Sequence, residues 1–247
     1  MGRFEHEATS GAAAASAGWP WLKLLRWSTI TAIVVVALVN VFAGIIPPLL
    51  VFALVWIGAL VWMRSAERGP SILLLVSFVA FLGLSAPFVI PTLTVPASAG
   101  DFILNLASLL AALTGIVAAV AVVRGREAGP ARVVGLTAAV VFIAAAVFSI
   151  VATITYDNAT VREGDVTVVA KDIEFQDTTL EASAGEISVF VENKDNTLHT
   201  FTSDELDVDL DVPAGKSARV TFQAEPGTYE FYCVPHKGDM EGTIEIR

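Results

Sequence analysis

Between residues 27 and 155 the chain is built almost wholly of apolar runs separated by short breaks, and no other feature restricts its fold as much. In a bilayer every backbone N–H and C=O must be satisfied internally, so runs of this kind are read as helices. They cover residues 27–44, 47–63, 71–90, 102–123 and 131–155. The first two form one stretch of 37 residues, interrupted only by Ile45-Ile46-Pro47-Pro48. A single helix of that length would extend about 55 Å against a hydrocarbon core of about 30 Å. Two spans joined by a tight turn fit better, which gives about five transmembrane helices.

The basic residues agree with that number. Lys23 and Arg26 precede the first run, Arg64 and Arg68 separate the second from the third, and Arg124, Arg126 and Arg132 separate the fourth from the fifth. The alternate connections, residues 45–48 and 91–101, hold no Lys or Arg. The positive-inside rule then places the N-terminus in the cytoplasm and the C-terminal region outside the cell membrane. Residues 1–20, rich in Gly, Ala and Ser, are expected to form a mobile cytoplasmic tail with His6 solvated, and Trp19, Trp21 and Trp27 an aromatic anchor. No cleavable signal peptide is expected, because the first apolar run is long and leads directly into the second.

The apolar region has no His or Cys and no charged residue at mid-span. Haem ligation by histidine, a proton relay or a charged-substrate path would each need such groups there. Asn40 and Asn105 are expected to make interhelical hydrogen bonds. Ala111, Gly115 and Ala119 form a small-residue stripe suited to helix packing.

From residue 157 the character reverses. Residues 1–156 carry eight Lys+Arg and five Asp+Glu, whereas residues 157–247 carry seven and twenty. So acidic a surface repels phosphate, and nucleic acid is not expected as a partner. After a linker at 157–164, which contains the sequon-like Asn158-Ala159-Thr160, short strands are expected at 166–170, 187–192, 206–212, 218–222, 228–233 and 242–246. Turn signals separate them at Ala184-Gly185, 193–196, Pro213-Ala214-Gly215 and Pro226-Gly227. About ninety residues of such strands suit a β-sandwich. Acid and aliphatic residues alternate over 204–211, as in a strand with one solvated face. The same run could serve as an acidic patch that steers a basic partner. Calcium fits poorly, because alternate carboxylates on a flat strand do not encircle an ion.

The chemistry is concentrated in Phe231-Tyr232-Cys233-Val234-Pro235-His236-Lys237-Gly238-Asp239-Met240. This stretch holds the only cysteine, one of three histidines and one of three methionines. Tyr229, Phe231 and Cys233 alternate with Glu230 and Tyr232, so a strand would turn the first three inward and end at the cysteine. Pro235 and Gly238 then bend the chain, folding His236 and Met240 back toward the sulfur. With His199 from upstream, these donors match a His₂Cys copper centre with a weak axial thioether. Zinc accepts His and Cys but has little use for a thioether. A buried cysteine beside a hydrogen-bonded histidine is the remaining alternative. A lone cysteine excludes both a disulfide framework and a binuclear thiolate-bridged centre.

The segment PGTYEFYCVPHKGDMEGTI, preceded by NKDNTLHTF, resembles the cupredoxin family of plastocyanin, amicyanin and pseudoazurin over roughly residues 163–247. The resemblance implies an all-β cupredoxin-like Greek-key sandwich over 165–247, following the membrane α-helical bundle. It makes His199, Cys233 and His236 the in-plane ligands of one type 1 copper ion and Met240 the axial ligand. The gap between His236 and Met240 lies between those of plastocyanin and amicyanin. Phe201, Phe231 and Tyr232 are expected to exclude water around the metal. The function implied is one-electron transfer by a membrane-tethered copper protein whose redox partner is unidentified; the acidic 204–211 run would suit a basic one. The alternative is copper acquisition, buffering or delivery. An oxidase or nitrite reductase would need further histidine-rich sites, which His6, His199 and His236 cannot supply, so no catalytic site or small-molecule substrate is expected.

Overall fold

The computed structural model describes residues 20–42, 44–126 and 129–247. The expected tail, with His6 and Trp19, lies outside the described residues except for Pro20. Among the described residues five helices come first: α1 (Trp21–Phe42), α2 (Pro47–Trp62), α3 (Arg68–Thr94), α4 (Ala99–Val123) and α5 (Ala131–Thr155). Four of them are long and apolar enough to cross a membrane. α2 is the shorter apolar helix of the five, its 16 residues rising about 24 Å. Pro47 and Pro48 occupy its first turn, where a missing N–H costs nothing, and Ile46 before them is extended. α2 nevertheless brings the chain back beside the start of α1, where Arg26 donates to the Met63 carbonyl at 3.1 Å.

α1 begins at Trp21, so Lys23 and Arg26 belong to its first turns and do not precede it. α3 runs through Pro87 and Pro91 to Thr94. α4 lies along both α1 and α3. Its small-residue stripe is spent within the chain: Gly115 leaves space for the Phe78 ring of α3. Phe52, Trp56, Phe78 and Phe81 pack together between α2 and α3, and the Trp56 indole donates to Ser77 Oγ at 3.0 Å. Asn105 makes the expected interhelical bond, donating to Thr92 Oγ1 at 2.8 Å. Asn40 does not. It donates to the Val36 carbonyl of its own helix and accepts from the Ile46 N–H, closing the α1–α2 turn. Trp21 is buried, and of these two tryptophans only Trp27 is exposed as an anchor would be.

Nine strands follow: β1 (Val166–Lys171), β2 (Glu174–Phe175), β3 (Thr179–Ala182), β4 (Gly185–Asn193), β5 (His199–Ser203), β6 (Val208–Val212), β7 (Ser217–Ala224), β8 (Gly227–Tyr232) and β9 (Glu241–Ile246). They form two sheets, β2-β1-β4-β7 and β3-β9-β8-β5-β6. β1 pairs parallel with β4 and β3 with β9, and the other pairings are antiparallel. β2, β3 and β5 were not anticipated from the pattern. β5 is buried at every residue, so it lacks the alternation that reveals a half-exposed strand. The acidic run behaves as expected only from Val208 onward. Leu206 and Asp207 belong to a turn, with Asp207 at φ +52°, and then Val208 and Val212 are buried while Asp209 and Asp211 face water.

The segment after α5 is bound along β7. Ala159 donates its N–H to the Ser217 carbonyl, the Ser217 N–H to Asn158 Oδ1, and Arg219 bridges to Asp165 and the Thr160 carbonyl. Between the sheets Phe231 stacks on Phe201 at 4.8 Å and meets Phe175 edge-on at 5.2 Å. Phe231 lies opposite Gly242 in the β8–β9 register. A Cβ on Gly242 would fall 2.4 Å from the Phe231 ring and 2.7 Å from the Thr178 carbonyl. Gly242→Ala should therefore destabilise the sandwich by about 1–3 kcal/mol, the usual cost of overpacking. Thermal unfolding of the β-domain in the full chain reads this directly, and an unchanged midpoint would contradict the packing described.

Candidate metal centre

β8 carries Phe231 and, one residue past its end, Cys233 into the interior, both essentially without exposure. The alternation of Tyr229, Phe231 and Cys233 is thus realised, with Tyr229 only partly covered. Tyr232 turns the other way, against expectation. Its hydroxyl donates to the Asp204 carboxylate and the Lys237 ammonium lies 3.8 Å from its ring centroid, so it does not shield the site. After Cys233 the chain makes a 3₁₀ turn over Val234–His236, begun by Pro235 in its first positions. Gly238, at φ +101°, reverses the chain in a conformation few other residues adopt. The Cys233 N–H then donates to the Met240 carbonyl at 3.0 Å, and the Met240 N–H to the His236 carbonyl at 3.0 Å. Met240 is thereby fixed opposite Cys233, with its side chain fully buried in the apolar cluster that contains the cysteine.

His199 opens β5 and reaches the same place from the neighbouring strand. Cys233 Sγ lies 3.6 Å from His199 Nδ1 and 3.4 Å from His236 Nδ1, and the two nitrogens are 3.2 Å apart. A point equidistant from the corners of such a triangle is about 2 Å from each, close to a metal–nitrogen bond length. Among the described residues this is the one cluster of at least three His, Cys, Asp or Glu donors able to hold an ion.

The hydrogen bonds prepare these atoms for a metal. His199 Nε2 is 2.8 Å from Asp195 Oδ2, so Nε2–H donates to the carboxylate and Nδ1 is left with its lone pair facing the triangle. Asp195 is itself fixed by the N–H groups of Asp172 and Ile173, two non-glycine residues at φ near +60°. Although burial raises the Asp195 carboxyl, these bonds and His199 hold it below its ordinary value. Burial lowers His199, with Asp195 opposing. Burial, reinforced by His199, pushes His236 down to about 4. Both imidazoles are therefore neutral at neutral pH, the form that binds metal. Burial raises the Cys233 thiol, so loading a metal must release its proton. The Thr200 N–H points at Sγ from 3.4 Å, a contact that favours the thiolate.

The four residues singled out by sequence thus split into three whose donor atoms converge and Met240, whose backbone brackets the same loop. Asp195 and Thr200 escaped the sequence reading. A carboxylate four residues before a candidate histidine ligand was the available signal for Asp195; for Thr200 there was only its place after His199.

An unfolded chain titrates His236 near the ordinary 6.5 and the folded one near 4. Stability contributed by its neutral form is complete above about 6.5 and is lost as pH falls toward about 4, because the unfolded state takes up the proton first. The melting midpoint of the metal-free chain should fall over this window, and fall less in His236→Gln. Coincident curves would show that His236 is not held neutral by burial.

Residues 139–246 match the family model of the cupredoxin-like domain, a stretch that starts within α5 and ends with β9. Among solved structures, amicyanin from Paracoccus versutus is 17% identical over 35% of this chain and 85% of its own, with a TM-score of 0.30. A reduced Cu(I) form of an amicyanin variant is 20% identical over 35% of this chain and 86% of its own, with a TM-score of 0.31.

Proposed function

We propose that the cupredoxin domain at the C-terminus of this chain is a type 1 copper carrier, held at the outer face of a membrane by the helices before it and passing one electron at a time. The observation that carries this reading is the triangle of His199 Nδ1, His236 Nδ1 and Cys233 Sγ, with edges of 3.2–3.6 Å, inside a domain of a copper-binding family. A copper ion held there supplies a one-electron couple. Cys233 would hold it as the thiolate, His199 and His236 as neutral imidazoles, and Met240 as a weak fourth donor. Phe201 and Phe231, both buried, keep water from the sulfur side. His236 is only partly buried and offers the most accessible edge of the set.

The sidedness rests on charge and packing together. The basic connections lie at the Arg26 and Met63 end of the bundle. The β-domain packs at the other end of α3, beside the connection that lacks Lys and Arg. The partner is a basic protein. Asp204, Glu205, Glu230 and Glu241, against the single cation Lys237, surround a hollow of about 370 Å³ that Tyr232, the neighbour of Cys233, also lines. Such a field would raise the rate of encounter with a cationic surface. The chain acts as a carrier and not as an enzyme, since no second histidine-rich copper site can be built from its remaining histidine, His6.

Copper delivery is the competing function, and retention of the metal separates the two. In sealed right-side-out membrane vesicles holding the full chain, a membrane-impermeant one-electron reagent should reduce and reoxidise the centre repeatedly while copper stays bound. Met240→Leu should shift the midpoint potential upward in the same assay. Transfer of copper to an impermeant chelator on reduction would support delivery. Cycling only in inverted vesicles would overturn the orientation.

A further inference from the structure

The metal-binding end of the sandwich is not free. The connection between α3 and α4, residues 95–98, lies under it, braced from α5 by Ser149 Oγ donating to the Pro96 carbonyl at 2.6 Å and Thr153 Oγ1 to the Ala97 carbonyl at 2.8 Å. Ser98 Oγ accepts the Ala214 N–H at 3.3 Å. α3 also packs on the 3₁₀ turn that carries His236. The central contact is Asp101, in the first turn of α4. Its Oδ2 accepts the Leu198 N–H at 2.6 Å and the Ser98 hydroxyl at 3.0 Å, and its Oδ1 accepts the Thr197 hydroxyl at 3.3 Å.

Leu198 is fully buried and immediately precedes His199. From the sandwich side the same loop is held by Asn193, whose amide donates to the carbonyls of Thr197, Val212 and Pro213. A buried N–H left without an acceptor costs about 1–3 kcal/mol, so without Asp101 the segment would have to move. Any such movement passes directly to His199, one peptide away, and through it to the donor triangle.

We propose that Asp101 is a positioning residue of the metal centre, clamping the backbone that leads into His199 to the membrane helices, so that the bundle shares in setting the geometry of the site. The helices then do more than anchor the domain: they supply part of the scaffold that holds its ligands. This inference rests on the copper reading above, and its test separates the two.

The test uses the full chain in lipid nanodiscs, as wild type, Asp101→Ala, Asp101→Asn and the exposed control Asp177→Ala. Amide hydrogen exchange at Leu198 is followed in the metal-free chain. The paramagnetic resonance spectrum and the rate of copper loss to a chelator are followed in the loaded one. In Asp101→Ala, Leu198 should exchange at least tenfold faster, copper should leave at least tenfold faster, and the spectrum should shift. Asp101→Asn keeps an oxygen able to accept from Leu198 and should recover most of both effects, while Asp177→Ala should match wild type. Unchanged exchange at Leu198 would remove the clamp. Faster exchange with unchanged copper loss and spectrum would overturn the positioning role. A wild-type chain that takes up no copper would instead sink the copper reading and leave the exchange result to decide whether the clamp exists.

Discussion

The site depends on the register of β5 against β8, because one strand opens with His199 and the other leads into Cys233. Only one ladder pair, Thr202 with Tyr232, joins them directly. Thr200 adds the rest of the tie: its N–H points at Cys233 Sγ and its Oγ1 accepts the Val234 N–H at 2.8 Å. A slip of one residue would turn His199 to the opposite face and empty one corner of the triangle. The apolar packing of Phe201 on Phe231, one turn of the pleat away on each strand, resists that slip by filling the space between the sheets.

A second constraint works from outside the sandwich. The β-domain is attached twice, along β7 by the segment after α5 and at its metal end by the α3–α4 connection. Two attachments fix an orientation that one tether would leave free. The acidic hollow is lined by the turn at Asp204 and Glu205, by β8, by Lys237 and by the start of β9, none of whose residues takes part in the hydrogen bonds of those attachments.

What the sequence made legible was local. Cys233, His236 and Met240 share one short loop, and their order and the bends at Pro235 and Gly238 describe its geometry almost completely. The helices were legible because lipid allows apolar runs little else, although α2 is shorter than the other four and Trp21 turned inward. What stayed hidden acts across sequence distance or without periodicity. β5 is buried on both faces, and β3 pairs parallel with the distant β9. Asp101 meets Leu198 across 97 residues, and read alone it is an acid at the end of an apolar run. Tyr232 adjoins the site in sequence, but the strand alternation that buries Phe231 and Cys233 necessarily turns it out.

The central claim is that His199, Cys233 and His236 hold one copper ion through a thiolate bond. The absorption and paramagnetic resonance spectra of the full chain loaded with Cu(II), beside those of Cys233→Ser, test it most directly. An intense visible charge-transfer band and a small copper hyperfine splitting, both lost in the variant, are the predicted result. A pale spectrum with ordinary splitting, the same in both proteins, would contradict it.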